Sequence, residues 1–210
     1  MSTATVFVPE IEESDILTEQ EWLLKSNWPP QGKWTYDDYC RLPDDGIRYE
    51  VLDGVLYKTP VCTPMHQECV GNILAPLVFY GNKRRRGAVY GARIDVILPG
   101  LATPVEPDIL FIVKERLHIV KEKFILGAPD FIAEVISPIT WRRDRHKKFE
   151  IYAKAGVREY WIVNPPARTI DLFVLRENRY ELIGKYGVGE TARSEVLPGF
   201  EVKVDEVCPA

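Results

Sequence analysis

The segment Asp130-Phe131-Ile132-Ala133-Glu134-Val135-Ile136-Ser137 constrains this chain more than any other. It is too short for a typical helix, is apolar at most positions, and carries one carboxylate at its centre. Such a run reads as a strand covered on both faces, which requires packed layers above and below it. The rest of the chain supplies them. Apolar residues at Val70, Ile73, Leu74, Leu77 and Val78 recur at helical spacing and predict a helix over 64–80, followed by Gly81 and a Lys-Arg run. A second helix is predicted over 139–155, closed by Gly156. Strands are predicted over 88–98 and 105–113 about a turn at 99–104, and over 159–163, where Asn164-Pro165-Pro166 stops the run. Hairpins are predicted at 49–57 about Asp53-Gly54 and at 169–183 about Glu177-Asn178, with a last strand over 200–204. Thr35 and Asp38 form a capping box that opens a short helix ending before Pro43. The order is α/β or α+β around one sheet.

At 210 residues the chain can bury a core without disulfide or metal staples. No apolar run is long enough to span a membrane, and residues 1–24 hold no Lys or Arg, so a signal-peptide n-region is missing. The expected location is the cytoplasm. Cys40, Cys62, Cys69 and Cys208 show no CxxC spacing and read as free thiols. Zinc-finger, HExxH, P-loop, GxGxxG and GxSxG patterns do not occur.

The net charge of −4 conceals a segregation. Residues 1–24 hold six acids and no base, leaving 25 acids against 27 bases in the remainder. Without steady periodicity and with Pro29-Pro30 and Gly32 in it, 1–32 reads as an acidic extension, with a short helix at 18–24, ahead of a domain over 33–210. Two basic clusters, Lys83-Arg84-Arg85-Arg86 and Arg142, Arg143, Arg145, Lys147 and Lys148, can neutralise phosphates or simply form a solvated loop and helix face.

The chemistry points to two acids. In Val105-Glu106-Pro107-Asp108-Ile109-Leu110-Phe111, alternation places Asp108 on the face of Glu106, Leu110 and Ile112; Glu134 shares a face with Ile132 and Ile136. A buried carboxylate costs several kcal/mol unless a metal, a cation or a hydrogen-bond network compensates it. Two of them facing one spot would form an oxygen-rich site suited to Mg²⁺; one of them with an Arg or Lys would be a structural pair. Asp144, Lys148 and Tyr152 follow at i, i+4 and i+8, one helical stripe from which Lys148 can either reach the edge of the sheet beside the two carboxylates or pair with Asp144 on the surface.

Trp34-Thr35-Tyr36-Asp37-Asp38-Tyr39, Leu42-Pro43, Tyr49-Glu50-Val51-Leu52-Asp53-Gly54, His66-Gln67, Pro107-Asp108, Gly127-Ala128-Pro129-Asp130, Glu134-Val135-Ile136-Ser137-Pro138, the Asp144, Lys148, Tyr152 series and Glu159-Tyr160-Trp161-Ile162-Val163 together resemble the Uma-type endonuclease family, within the PD-(D/E)xK or restriction-endonuclease-like nucleases. The resemblance covers 33–205. It implies a mixed β-sheet flanked by helices, with extra β-hairpins, and a divalent-metal phosphodiesterase site. Asp108 then corresponds to the PD aspartate and Glu134 to the (D/E)xK carboxylate. The lysine expected at position 136 is replaced by Ile136, and the resemblance implies that Lys148 supplies it from the following helix. Glu50 matches a glutamate that completes the acidic cluster, and His66 matches a histidine at the start of the helix. Asn164 departs from the Asp common in the family after the Tyr-Trp strand.

The implied function is a Mg²⁺- or Mn²⁺-dependent endonuclease acting on nucleic acid, DNA in the first instance. The metal would rest on Asp108, Glu134 and the carbonyl of Val135; Lys148 and Glu50 would act in catalysis, and His66, Lys147 and Arg145 on the substrate. A homodimer is implied because cutting both strands needs two sites. The alternatives are a nucleic-acid-binding module or a protein-interaction module on the same fold, without turnover.

Overall fold

A computed structural model of the chain describes residues 28–43, 46–59, 61–83, 85–136 and 143–209, the side chains of 143–145 excepted. The predicted helix at 18–24 lies outside the described residues. Thr35 accepts the Asp38 N–H at 3.2 Å and the Asp38 carboxylate takes the Thr35 N–H at 3.0 Å, so the predicted capping box opens α1 (Tyr36–Tyr39). β1 (Arg48–Leu52) and β2 (Val55–Thr59) form the first hairpin, with Asp53 and Gly54 both at positive φ as the tight turn demands. Thr63 caps α2 (Pro64–Asn82), with proline at its first position. Gly81 lies inside this helix rather than after it. A Cβ there would stand 3.2 Å from the Phe111 ring, so the missing side chain lets helix and sheet approach.

The strands after α2 fall into three sheets, two large and one of two strands, not the single sheet expected. β3 (Gly87–Gly91), β6 (Ile109–Val113), β8 (Phe131–Val135), β9 (Glu159–Asn164), β10 (Thr169–Arg176) and β11 (Arg179–Tyr186) make a six-stranded sheet in the order β11-β10-β9-β8-β6-β3. Its β8–β9 pair is parallel and its other pairs are antiparallel. β4 (Val96–Leu98), β5 (Ala102–Val105) and β7 (Ile125–Leu126) join the first hairpin in a second sheet, β2-β1-β5-β4-β7. The predicted strand 88–98 is therefore two strands that pair in different sheets, separated at 92–95. The predicted turn at 99–104 contains β5, which pairs with both β4 and β1. Likewise 105–113 is interrupted: Glu106, Pro107 and Asp108 cross from one sheet to the other, and Pro107 has no N–H to offer a ladder.

Of the expected helix at 139–155, residues 139–142 lie outside the described residues. Arg143–Lys148 is π-helical and passes into α3 (Phe149–Ala155), which Gly156 ends at φ +89°. The hairpin of β10 and β11 turns at Glu177-Asn178 as predicted, both at positive φ. The last predicted strand is β13 (Glu201–Lys203), paired with β12 (Thr191–Arg193) and followed by α4 (Val204–Val207), neither of which the pattern of apolar residues announced.

β8 is buried along its whole length. Its Phe131, Ala133 and Val135 face α2 through Cys69, Val70, Ile73 and Leu77; its Ile132 faces α3 and the second sheet through Tyr152 and Leu52. The expected two-sided cover of this strand is present. The candidate site lies where the two sheets and α3 meet.

Candidate active site

β1 alternates Tyr49 and Val51, packed with Trp34, against Glu50 and Leu52, turned towards the larger core. That alternation carries Glu50 inward from the second sheet. Glu134 comes from the six-stranded sheet on the face of Ile132 and Ile136, as the spacing predicts. Between the two acids stands Lys148. Its Nζ lies 2.9 Å from Glu134 Oε1 and 3.0 Å from Glu50 Oε1. All three residues are at most 3% exposed. Glu50 Oε1 also accepts the Glu106 N–H at 3.0 Å.

Tyr152, one turn beyond Lys148, donates its hydroxyl to the same Glu134 Oε1 at 2.7 Å. Burial, together with the neighbouring Glu134 charge, pushes the phenol well above its usual range, so it stays a donor. The sequence placed Tyr152 beside Lys148 on one stripe but gave it only the task of orienting the helix.

Asp108 immediately precedes β6, and the register that pairs Ile109 with Ala133 sets it beside Glu134 on the neighbouring strand. Its carboxylate does not share a sheet face with Leu110 and Ile112, as alternation through an unbroken strand would require. Because the chain crosses between sheets at Pro107, the carboxylate turns along the ladder instead, and its Oδ2 accepts the Val135 N–H at 2.9 Å. In an extended strand the N–H and C=O of one residue point to the same side, which directs the Val135 carbonyl towards this edge too. His66, in the first turn of α2, places Nε2 3.3 Å from Asp108 Oδ1.

Glu106 faces Arg48, which donates from Nε at 2.9 Å. Burial holds the Glu106 carboxyl above its ordinary value and Arg48 opposes that shift. The sequence singled out neither member of this pair as a site residue; Arg48 stands two residues before Glu50 and so shares its face of β1.

Asp108, Glu134, Glu50, His66, Val135 and Lys148 therefore lie in one neighbourhood, drawn from both sheets and two helical segments. Lys147 does not join them. It is about one-third exposed and pairs with Asp53 in the turn of the first hairpin. The Arg145 side chain lies outside the described residues. Lys83, Arg85 and Arg86 of the basic run follow the far end of the 19-residue α2, about 27 Å from His66's end. There Arg86 donates to the Pro198 carbonyl at 2.8 Å and covers the Tyr80 ring.

Four buried carboxylates, of Glu50, Glu106, Asp108 and Glu134, meet two basic side chains, Arg48 and Lys148. Among the described residues no three His, Cys, Asp or Glu side chains form a ready-made metal cage. The donor set fits Mg²⁺ nonetheless, since that ion is usually held through one or two carboxylates and keeps several of its waters.

A family model described as "Uma2: Putative restriction endonuclease" matches residues 36–205. The fold is similar to that of a solved structure from Anabaena variabilis, described as a putative nuclease belonging to DUF820. The TM-score is 0.65 at 16% identity, over 82% of this chain and 96% of that one. No curated protein matches the sequence. Among the described residues no helix is long and apolar enough to cross a membrane.

Proposed function

The chain belongs to the Uma2 restriction endonuclease family, and on that premise we propose that it is a metal-dependent endonuclease that hydrolyses phosphodiester bonds of DNA. The observation that carries the reading is the Lys148 ammonium between Glu134 and Glu50, beside the Asp108 carboxylate, in a place where the strand itself offers Ile136. Asp108, Glu134 and the Val135 carbonyl would hold Mg²⁺ or Mn²⁺. The ion, when bound, would lower the pKa of a water and offset charge growing on the phosphoryl oxygens.

The chain's own groups have separable tasks. Asp108 is oriented by the Val135 N–H, and Glu134 by Tyr152 and Lys148, so both carboxylates are fixed before substrate arrives. Lys148 would steady the attacking water or the developing phosphoryl charge, held in place by Glu50. His66 would contact the substrate phosphate from the start of α2, with Lys147 and Arg145 on the backbone further out. Cutting both strands of a duplex would employ two copies, so a homodimer belongs to this reading.

The same ion pairs favour one rival. An ammonium engaged by two carboxylates can be a structural cross-link, which would leave a nucleic-acid-binding module without turnover. The test compares cleavage of DNA and RNA by the wild type with Mg²⁺, with Mn²⁺ and in EDTA, and by Asp108→Asn. Metal-dependent cleavage lost in the variant is expected. Binding without cleavage under every condition would favour the rival.

A further inference from the structure

Beside the carboxylates opens a groove of about 580 Å³ that neither the sequence motifs nor the proposed chemistry employs. It adjoins the site. Its wall includes Gln67, which follows His66, and Ala92, whose N–H donates to the Asp108 carbonyl at 3.0 Å. Arg48, bound to Glu106, forms another part of the wall. Among the described residues that line it, three are basic, Arg48, Lys58 and Arg93, and none is acidic. Ile47 and Val61, the latter 97% exposed, give it an apolar rim.

A cavity of this size, cationic within and apolar at the lip, suits a phosphate flanked by sugar and base. It differs from Lys83, Arg85 and Arg86 of the basic run, which lie at the far end of α2. Resting on the nuclease reading above, we propose that this groove is the subsite for the nucleotide next to the scissile phosphate, with Lys58 and Arg93 on its backbone phosphates. Arg48 has a separate task. Held by Glu106, it closes the end of the groove nearest the carboxylates and aligns the strand with them. The groove thus makes the substrate a polynucleotide strand that extends past the cut, rather than an isolated phosphodiester.

The test measures binding of a short labelled DNA duplex by fluorescence anisotropy, in EDTA so that nothing is cut, over a series of salt concentrations. Lys58→Gln and Arg93→Gln are each expected to weaken binding and to lower the slope of log K against log salt by about 1. Lys203→Gln, on the exposed end of β13, should leave the slope unchanged. A second readout uses Cys62, a half-buried lining residue. Cys69 and Cys208 are buried, so on a Cys40→Ser background Cys62 is the accessible thiol, and saturating DNA should slow its alkylation. A wild type that binds and cuts DNA, with Lys58 and Arg93 variants of unchanged slope and Cys62 unprotected, would overturn the groove while leaving the nuclease reading intact. A wild type that neither binds nor cuts nucleic acid would overturn both.

Discussion

Lys148 and Glu134 are 14 residues apart in the chain, yet their charged atoms stand 2.9 Å apart in a place that solvent barely reaches. On the proposed reading, Lys148 stands in for a strand lysine two residues after Glu134. Ile136 occupies that position and belongs to the apolar core.

Removing the ammonium should therefore damage fold and chemistry together. Lys148→Met removes the ammonium between Glu50 and Glu134 and is expected to cost about 3–5 kcal/mol, read by chemical denaturation. Adding Glu134→Gln to it should recover part of that loss, since the double variant removes one of the two opposed charges. Lys147→Ala breaks a more exposed pair with Asp53 and should cost under ~1 kcal/mol. Cleavage should vanish in the first variant and persist in Lys147→Ala; the opposite ranking would remove Lys148 from the mechanism.

Asp108→Asn retains an oxygen for the Val135 N–H while losing the negative charge. The fold should survive, with an unfolding midpoint near that of the wild type, and Mg²⁺-dependent cleavage should disappear. Glu134→Gln should behave likewise towards cleavage. Activity that persists in EDTA, or in either variant, contradicts the metal mechanism.

Tyr152 touches Glu134 and not the substrate, so it is a positioning residue. Tyr152→Phe removes one donor from Glu134 Oε1 and keeps the ring that packs against Tyr160. The expected loss is roughly 10–100-fold, carried mainly by a higher Mg²⁺ concentration for half-maximal rate. A change in stability alone, with the metal dependence unmoved, would give the hydroxyl a purely structural role.

Asp95 tests the electrostatics next to the site. Burial holds its carboxyl above its ordinary value of 3.8, against the opposing hydrogen bonds from Tyr36 and Tyr39. A raised folded pKa means that the folded state binds its proton more tightly than the unfolded chain does. The resulting stability is complete below 3.8 and is lost as pH rises through the raised folded value. Asp95→Asn, which cannot ionise, should accordingly gain on the wild type as pH rises from about 3.5 to 7, measured as the difference between their denaturation free energies. A difference that stays flat over that range would show that Asp95 titrates alike in both states.

The sequence alone determined the elements whose signals are local. The Thr35–Asp38 capping box, the two hairpin turns with their positive-φ residues, the helix opened by Thr63 and the apolar strand around Glu134 each depend on residues a few positions apart. It also determined which side of β8 Glu134 faces, because strand alternation is set by the backbone itself. Tertiary structure decided the rest. Whether 88–98 is one strand or two depends on two separate sheets taking its two halves, and apolar alternation within 88–98 carries no mark of that division. Pro107 was visible, but only the crossing between sheets turned Asp108 out of the alternation and onto the Val135 N–H. β12 and β13 are each three residues long and acquire their pairing from one another. Glu50 reached Lys148 because the hairpin that carries it packs against the other sheet. A buried charge is stabilised by what surrounds it in space, and for Glu50, Glu134 and Lys148 those surroundings come from segments that only the folded chain brings together.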